Sequence, residues 1–229
     1  MIKNLMRGLA AAALLSLPLA AAAPAPAASL PLPHAAPAAV TMSLTDGIAE
    51  LPVAAEHREG YERTKFKHWV DADHNGCNTR AEVLIAESRT KPVIEAGCKI
   101  ASGTWYSYYD GVTVTAPGGL DIDHMVPLAE AWDSGASNWT AARRQAYAND
   151  LDAPRSLVAV SAKANRSKSD QDVTDWLPPL ADARCQYASD WTSTKLRWGL
   201  SIDSAERTAL EHIASGCGHT NVEYETALP

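Results

Sequence analysis

Apolar and polar positions alternate in two periods along this chain. In residues 56–70 (EHREGYERTKFKHWV), Tyr61, Phe66 and Trp69 recur within a charged background, which predicts a helix with these rings as candidate buried positions. A turn-rich stretch follows at 71–77, and residues 79–88 (TRAEVLIAES) predict a second helix. Residues 98–116 alternate and are rich in Trp, Tyr, Val and Thr, which predicts strands. Gly118-Gly119 marks a turn, and 120–128 reads as a strand ending at a proline-containing bend. Helical spacing returns at 139–150, and 157–160 is a short apolar strand. Ser161 then stands where an N-cap is needed for a helix carrying Asn165 and Lys168. Residues 187–200 and 203–215 predict two closing helices, the second capped by Asp203 with Glu206 in the reciprocal position. Strands in the middle and helices toward both ends predict an α+β domain.

The N-terminus follows a different logic. Lys3 and Arg7 precede an apolar run from Leu9 to Leu19 that is short for a membrane span, and small residues follow it. This predicts a signal peptide over 1–28, cleaved near Ala27 or Ala28, then an Ala/Pro-rich flexible leader over 29–45 and one folded domain over 46–229. An exported protein with no membrane segment after cleavage is the expectation. Oligomeric state leaves no mark in the sequence.

Charge complicates the choice of partner. Cleavage removes Lys3 and Arg7, leaving 18 basic against 27 acidic residues, so the net charge moves from -7 to -9. Such a chain is a poor overall match for a polyanion, unless a local cationic cleft or a bound divalent metal outweighs the distant acidic surface. The four cysteines, Cys77, Cys98, Cys185 and Cys217, predict two disulfides in an oxidising compartment. Three connectivities are open. Cys77–Cys98 with Cys185–Cys217 is preferred because each pair closes a short loop. Zinc is the alternative, though no C-x-x-C pair exists.

One segment has metal-loop spacing. Asp71, Asp73, Asn75, Gly76 and Glu82 occupy positions 1, 3, 5, 6 and 12 of an EF-hand loop, with helices expected on both sides. Position 8 is polar Asn78, and Cys77 is expected in a disulfide. A structural Ca²⁺ site is one reading, and a tight turn is the other.

The densest chemistry lies at Asp121-Ile-Asp123-His124-Met-Val-Pro127. Neighbours on a strand face opposite sides, so Asp123 and His124 diverge unless the strand end bends. About forty residues on, the strand at 157–160 leads into Ala164-Asn165-Arg166-Ser167-Lys168-Ser169-Asp170, which carries Asn165 back toward Asp123. Together these stretches resemble the HNH (ββα-metal, His-Me finger) endonucleases, especially small exported bacterial members. The stretches NGCNTRAEVL at 75–84, PLAEAWDSGA at 127–136 and the W-L-P-P…C-x-Y run at 176–187 extend the likeness over residues 60–217.

The resemblance implies a ββα-metal core at 117–170 and a low-specificity endonuclease acting on DNA, with RNA as a second candidate substrate. It implies that Asp123 and Asn165 ligate a divalent metal, Mg²⁺ or Mn²⁺, and that His124 is the general base. On that view activity falls below about pH 6.5, the value for a free imidazole. Asp121, Arg166 and Lys168 follow as supporting residues or phosphate contacts. The family's middle position often carries Asn before Leu, whereas here Ser156 precedes Leu157, so Asn149 is the candidate for that role. The competing reading is a catalytically inactive, calcium-stabilised extracellular binding protein.

Overall fold

A computed structural model describes residues 38–228. The expected signal peptide, and the leader up to residue 37, lie outside the described residues. In chain order the elements are Val40–Ser43 (β1), Leu44–Glu50 (α1), Thr79–Glu87 (α2), Val93–Glu95 (β2), Lys99–Ser102 (β3), Trp105–Ser107 (β4), Val112–Val114 (β5), Leu120–His124 (β6), Leu128–Asp133 (α3), Ala141–Ala148 (α4), Leu157–Ser161 (β7), Ala162–Lys168 (α5), Arg184–Trp198 (α6), Ser204–Ala214 (α7) and Asn221–Tyr224 (β8). The result is a mixed α+β domain. Its strands form separate antiparallel pairs, β1–β8, β2–β3, β4–β5 and β6–β7.

Regular structure begins before the expected boundary at residue 46. β1 pairs with β8, tying the two ends of the domain together, and the Ser43 side chain accepts from the Asp46 amide to cap α1. Residues 40–45 therefore belong to the fold and not to a flexible leader.

α6 is the centre of the larger core. Tyr187 and Trp191 are fully buried on it, packed with Ile48, Leu51, Leu128 and Val222. It ends at Gly199, whose φ of +66° is open to glycine without a Cβ clash, and the Leu200 amide then bonds the Lys195 carbonyl. A smaller core joins α2 to the β6–β7 pair through Val83, Leu84, Trp105, Ile122 and Leu157.

The helix expected over 56–70 is not formed. Only a 3-10 turn at Arg63–Lys65 is helical, Gly60 takes φ +74°, and Trp69 takes φ +60°. A helix would hold Tyr61, Phe66 and Trp69 near one another, but their packing partners lie apart. Tyr61 and Phe66 pack on Trp132, whereas Trp69 packs on His124. An extended strap reaches both places, and tertiary packing overrides the local pattern. Leu128 likewise starts the fully buried helix α3 instead of ending a strand.

Both preferred disulfides are present, Cys77–Cys98 with Cα atoms 5.1 Å apart and Cys185–Cys217 with 5.4 Å. The first ties the start of α2 to the β2–β3 turn. The second ties the start of α6 to the chain beyond α7. Each loop is long enough for about 3 kcal/mol of stabilisation on the chain-entropy argument.

Candidate active site

The site is built on β6, β7 and α5. β6 and β7 pair from Leu120↔Ser161 to His124↔Leu157, and the Ser161 side chain caps α5 as expected. α5 follows β7 directly and packs against both strands. This brings Asp121, Asp123, Asn165, Arg166 and Lys168 to one region of the surface and the layer beneath it.

His124 is 5% exposed. Its Nε2 lies 3.0 Å from the Ala148 carbonyl oxygen. A carbonyl only accepts, so Nε2 carries the proton and Nδ1 keeps the free lone pair. Around the ring stand Trp69 at 5.6 Å, His68 at 6.3 Å and Tyr147 at 6.5 Å between centroids. Burial in this aromatic shell pushes the imidazole down to about 3, with the nearby Arg63 and His68 acting in the same direction and the Ala148 bond opposing it. The ring is thus neutral throughout the neutral and mildly acidic range. The pH limit expected near 6.5 for a free imidazole does not apply to this environment.

Asp123 is 6% exposed, and both of its donors meet Oδ2: the Tyr109 hydroxyl at 2.6 Å and Lys168 Nζ at 2.8 Å. Burial raises its carboxyl, opposed by Lys168 and Tyr109. Lys168 is fully buried and also donates to the His124 carbonyl at 3.0 Å. Its ammonium is lowered by burial and supported by Asp123. Lys168 therefore stands beneath the site as a strut for the Asp123–His124 strand end. That overturns a direct phosphate contact for this residue, because no part of it reaches the surface.

Asn165 is half-buried. Its Nδ2 donates to Asp121 Oδ2 at 3.4 Å, and Arg166 Nε meets the same oxygen at 3.2 Å. The amide of Asn165 thus meets Asp121 and not Asp123. The strand pleat explains this, since Asp121 and Asp123 share the face of β6 that α5 covers, with Asp121 nearer the surface. Asp123 Oδ1 and Asn165 Oδ1 receive no hydrogen bond among the described residues.

Asn149 works one step away from His124. It ends α4, immediately after the carbonyl that holds the imidazole. Its Oδ1 accepts from the Val70 amide and the Thr79 hydroxyl, and its Nδ2 donates to the Lys67 and Gln145 carbonyls. With all four side-chain positions used, Asn149 pins the strap and α2 to the end of α4. It fixes where the Ala148 carbonyl points.

The 71–82 loop closes on itself. Asp71 and Asp73 accept from the Asn75 amide, Asp71 also from the Gly76 amide, and Asn75 Nδ2 bridges Asp73 and Glu82 at 2.9 and 2.7 Å. α2 follows the loop as expected, but residues 66–70 immediately before it are not helical. The sequence pattern did not single out Tyr109, His68 or Arg63, and it marked Trp69 only as a buried position. They come from segments far from the D-H motif, and only the fold brings them there.

Among known families, the model for the C-terminal domain of GmrSD restriction endonucleases matches residues 78–213. A protein of Arthroderma benhamiae described as an uncharacterized secreted protein is 41% identical over 180 residues, covering 79% of this chain and 86% of the relative. No solved structure matches. The chain belongs to the GmrSD C-terminal domain family. The match runs from the N-cap of α2 through β6, β7, α5 and α6 into α7. The relative is fungal, so the likeness is not confined to bacterial proteins.

Proposed function

We propose that this protein is a secreted, metal-dependent endonuclease of the HNH kind that hydrolyses phosphodiester bonds of DNA, with RNA as the second candidate substrate. The observation that carries this reading is His124. Its tautomer is set by the Ala148 carbonyl, so a neutral Nδ1 is available to take a proton from an attacking water. The family match, whose name refers to restriction endonucleases, and the relative described as secreted support it. So do the expected signal peptide and the two disulfides.

The acceptors around the site fit a hard divalent ion of the Mg²⁺ or Mn²⁺ class. Asp123 Oδ1 and Asn165 Oδ1 are oxygen donors without hydrogen bonds, and such ions keep several waters beside a few protein oxygens. Asp123 and Asn165 would hold the ion, which when bound stabilises negative charge on the phosphate and the leaving oxygen. Lys168 and Tyr109 fix the Asp123 carboxylate, and Lys168 also holds the His124 backbone. The exposed Arg63 lies close enough for its charge to act on both Asp123 and His124, which suits it to an incoming phosphate. Because His124 is almost fully covered, substrate entry requires part of the 63–69 strap to move aside.

One observation favours the second reading, an inactive calcium-stabilised binding protein with Ca²⁺ in the 71–82 loop. Asp123 is already neutralised by Lys168 beneath a closed strap. Cleavage of supercoiled plasmid by the oxidised mature protein separates the two. Nicking should need Mg²⁺ or Mn²⁺, stop with EDTA, and fall about 10²–10⁴-fold in His124→Ala, the usual contribution of a general base. Folded protein that cleaves neither DNA nor RNA with any of Mg²⁺, Mn²⁺ or Ca²⁺ would leave the binding-protein reading standing.

A further inference from the structure

A second charged centre lies outside the site described above. The opening of the strap runs beside residues 201–203, where the Ala54 amide bonds the Ile202 carbonyl, and along α3, where Trp132 Nε1 bonds the Glu59 carbonyl. Between these contacts sits Glu56, an exposed residue that makes no hydrogen bond or ion pair with the described residues. One of its carboxylate oxygens lies within 4.8 Å of oxygens from Glu130 and Asp133, and a second grouping brings it equally close to Asp203 and Glu206.

Five carboxylates thus face two cations, Lys195 and Arg58. Lys195 is fully buried and is used by Glu130 and Glu206. Arg58 holds Asp133 through Oδ2 alone. The remaining Asp133 oxygen, Oδ1, is buried and has no partner. A buried carboxylate oxygen without a donor has lost its hydration with nothing in return, which points to a missing partner. The crowding also shows on Glu56, whose carboxyl is pushed up to about 7 by partial burial and by its acidic neighbours Glu130, Asp203 and Asp133.

We infer that Glu56, Glu130 and Asp133 form a binding site for a hard divalent cation of the Ca²⁺ class. The oxygen spacing fits, because ligands on one Ca²⁺ at 2.3–2.6 Å lie at most about 5 Å from each other. The ligands come from the strap and from α3, so the bound ion clamps the first part of the strap to the core. The same strap continues into the Arg63–Trp69 segment over His124, so the clamp also limits how the cover moves. The exposed carboxylate of Glu56 gives the ion its way in. This inference does not depend on the nuclease reading.

The test is calorimetric titration of Ca²⁺, and separately Mg²⁺, into the oxidised mature protein. Wild type is compared with Glu56→Gln, Asp133→Asn and Glu82→Gln. Glu56→Gln is the main variant because it removes no packing and no hydrogen bond. It should lose one equivalent of bound Ca²⁺, and Asp133→Asn should lose the same one. Glu82→Gln, which addresses the 71–82 loop, should leave that equivalent in place. Ca²⁺ should raise the melting temperature of wild type more than that of Glu56→Gln. Equal Ca²⁺ stoichiometry in wild type and Glu56→Gln would overturn the inference. So would an absence of any Ca²⁺ equivalent apart from the one lost in Glu82→Gln, which would assign the acidic box to shared protons.

Discussion

Among the described residues two lysines are fully buried, Lys168 and Lys195, and their surroundings push them in opposite directions. Lys168, under the β6–β7–α5 site, meets one carboxylate, Asp123, and one carbonyl. Burial dominates there, and its ammonium is lowered. Lys195, in the core of α6, meets Glu130, Glu206, the Ser134 hydroxyl and the Ser201 carbonyl. There the acids outweigh burial, and its ammonium is raised. Burial therefore decides for one lysine and acidic partners decide for the other, although both are equally dehydrated. The net charge of the whole chain hides this division.

Removing each lysine breaks the comparison most directly. Lys195→Met leaves Glu130 and Glu206 buried without their shared cation, and should destabilise the fold by about 3–5 kcal/mol, the usual cost of breaking a buried pair. Lys168→Met should cost less. Burial raises the Asp123 carboxyl, and it keeps the Tyr109 hydroxyl as a partner. Urea unfolding of both variants with EDTA present measures the difference. An equal or larger loss in Lys168→Met would show that the site is not the electrostatically poorer of the two.

The pH dependence of stability should also differ in sign between the regions. His124 lies near 3 in the fold against 6.5 in its ordinary state. Its contribution is complete above pH 6.5 and is lost as pH falls from 6.5 toward 3, at no more than about 1.4 kcal/mol per pH unit. Glu206 is pushed up by burial from 4.5 to about 7, with Lys195 opposing and Glu130 adding to the rise. Its contribution is complete below pH 4.5 and is lost as pH rises from 4.5 through about 7. His124→Gln, which keeps a donor for the Ala148 carbonyl, should flatten the acid side of the stability curve. Glu206→Gln should flatten the side approaching neutrality. Denaturant midpoints from pH 4 to 8 would decide this, and a curve unchanged in slope by either substitution would remove the assigned environment.

The two regions were not equally legible in the sequence. The D-H pair, the apolar run at 157–160 and the Ser161 cap are local signals, and they place β6, β7 and α5 correctly. Both disulfides match the pairing preferred for its short loops, out of three open connectivities. Glu206 shows where local reasoning fails. Asp203 does accept from its amide at 2.7 Å, but the Glu206 side chain turns inward to Trp191 and Lys195 instead of completing a capping box. Lys195 and Glu130 are 65 positions apart, so no spacing rule connects them. The strap fails differently, since three aromatics in a charged run suit a helix as well as an extended segment with separate pockets. Asn149 is found by position, but its contacts run to the strap and α2, while its neighbour Ala148 holds the imidazole.

The smallest expected effect sharpens the boundary between surface and site. Arg166 is 73% exposed and pairs with Asp121, itself 28% exposed, at 3.2 Å. Solvent screens such a pair, so Arg166→Ala should change stability by about 0–1 kcal/mol, unlike the loss of either buried lysine. That near-neutrality makes it informative about substrate. Asn165, the neighbouring residue, is one of the two expected metal ligands, so a guanidinium here faces the approach to the site. If Arg166 meets the nucleic-acid backbone, Arg166→Ala should raise KM for DNA cleavage and leave kcat nearly unchanged, with the gap narrowing as salt is added. A lower kcat at unchanged KM would instead place Arg166 at the reacting phosphate, and would extend the catalytic region outward from Asp123 to the surface of α5.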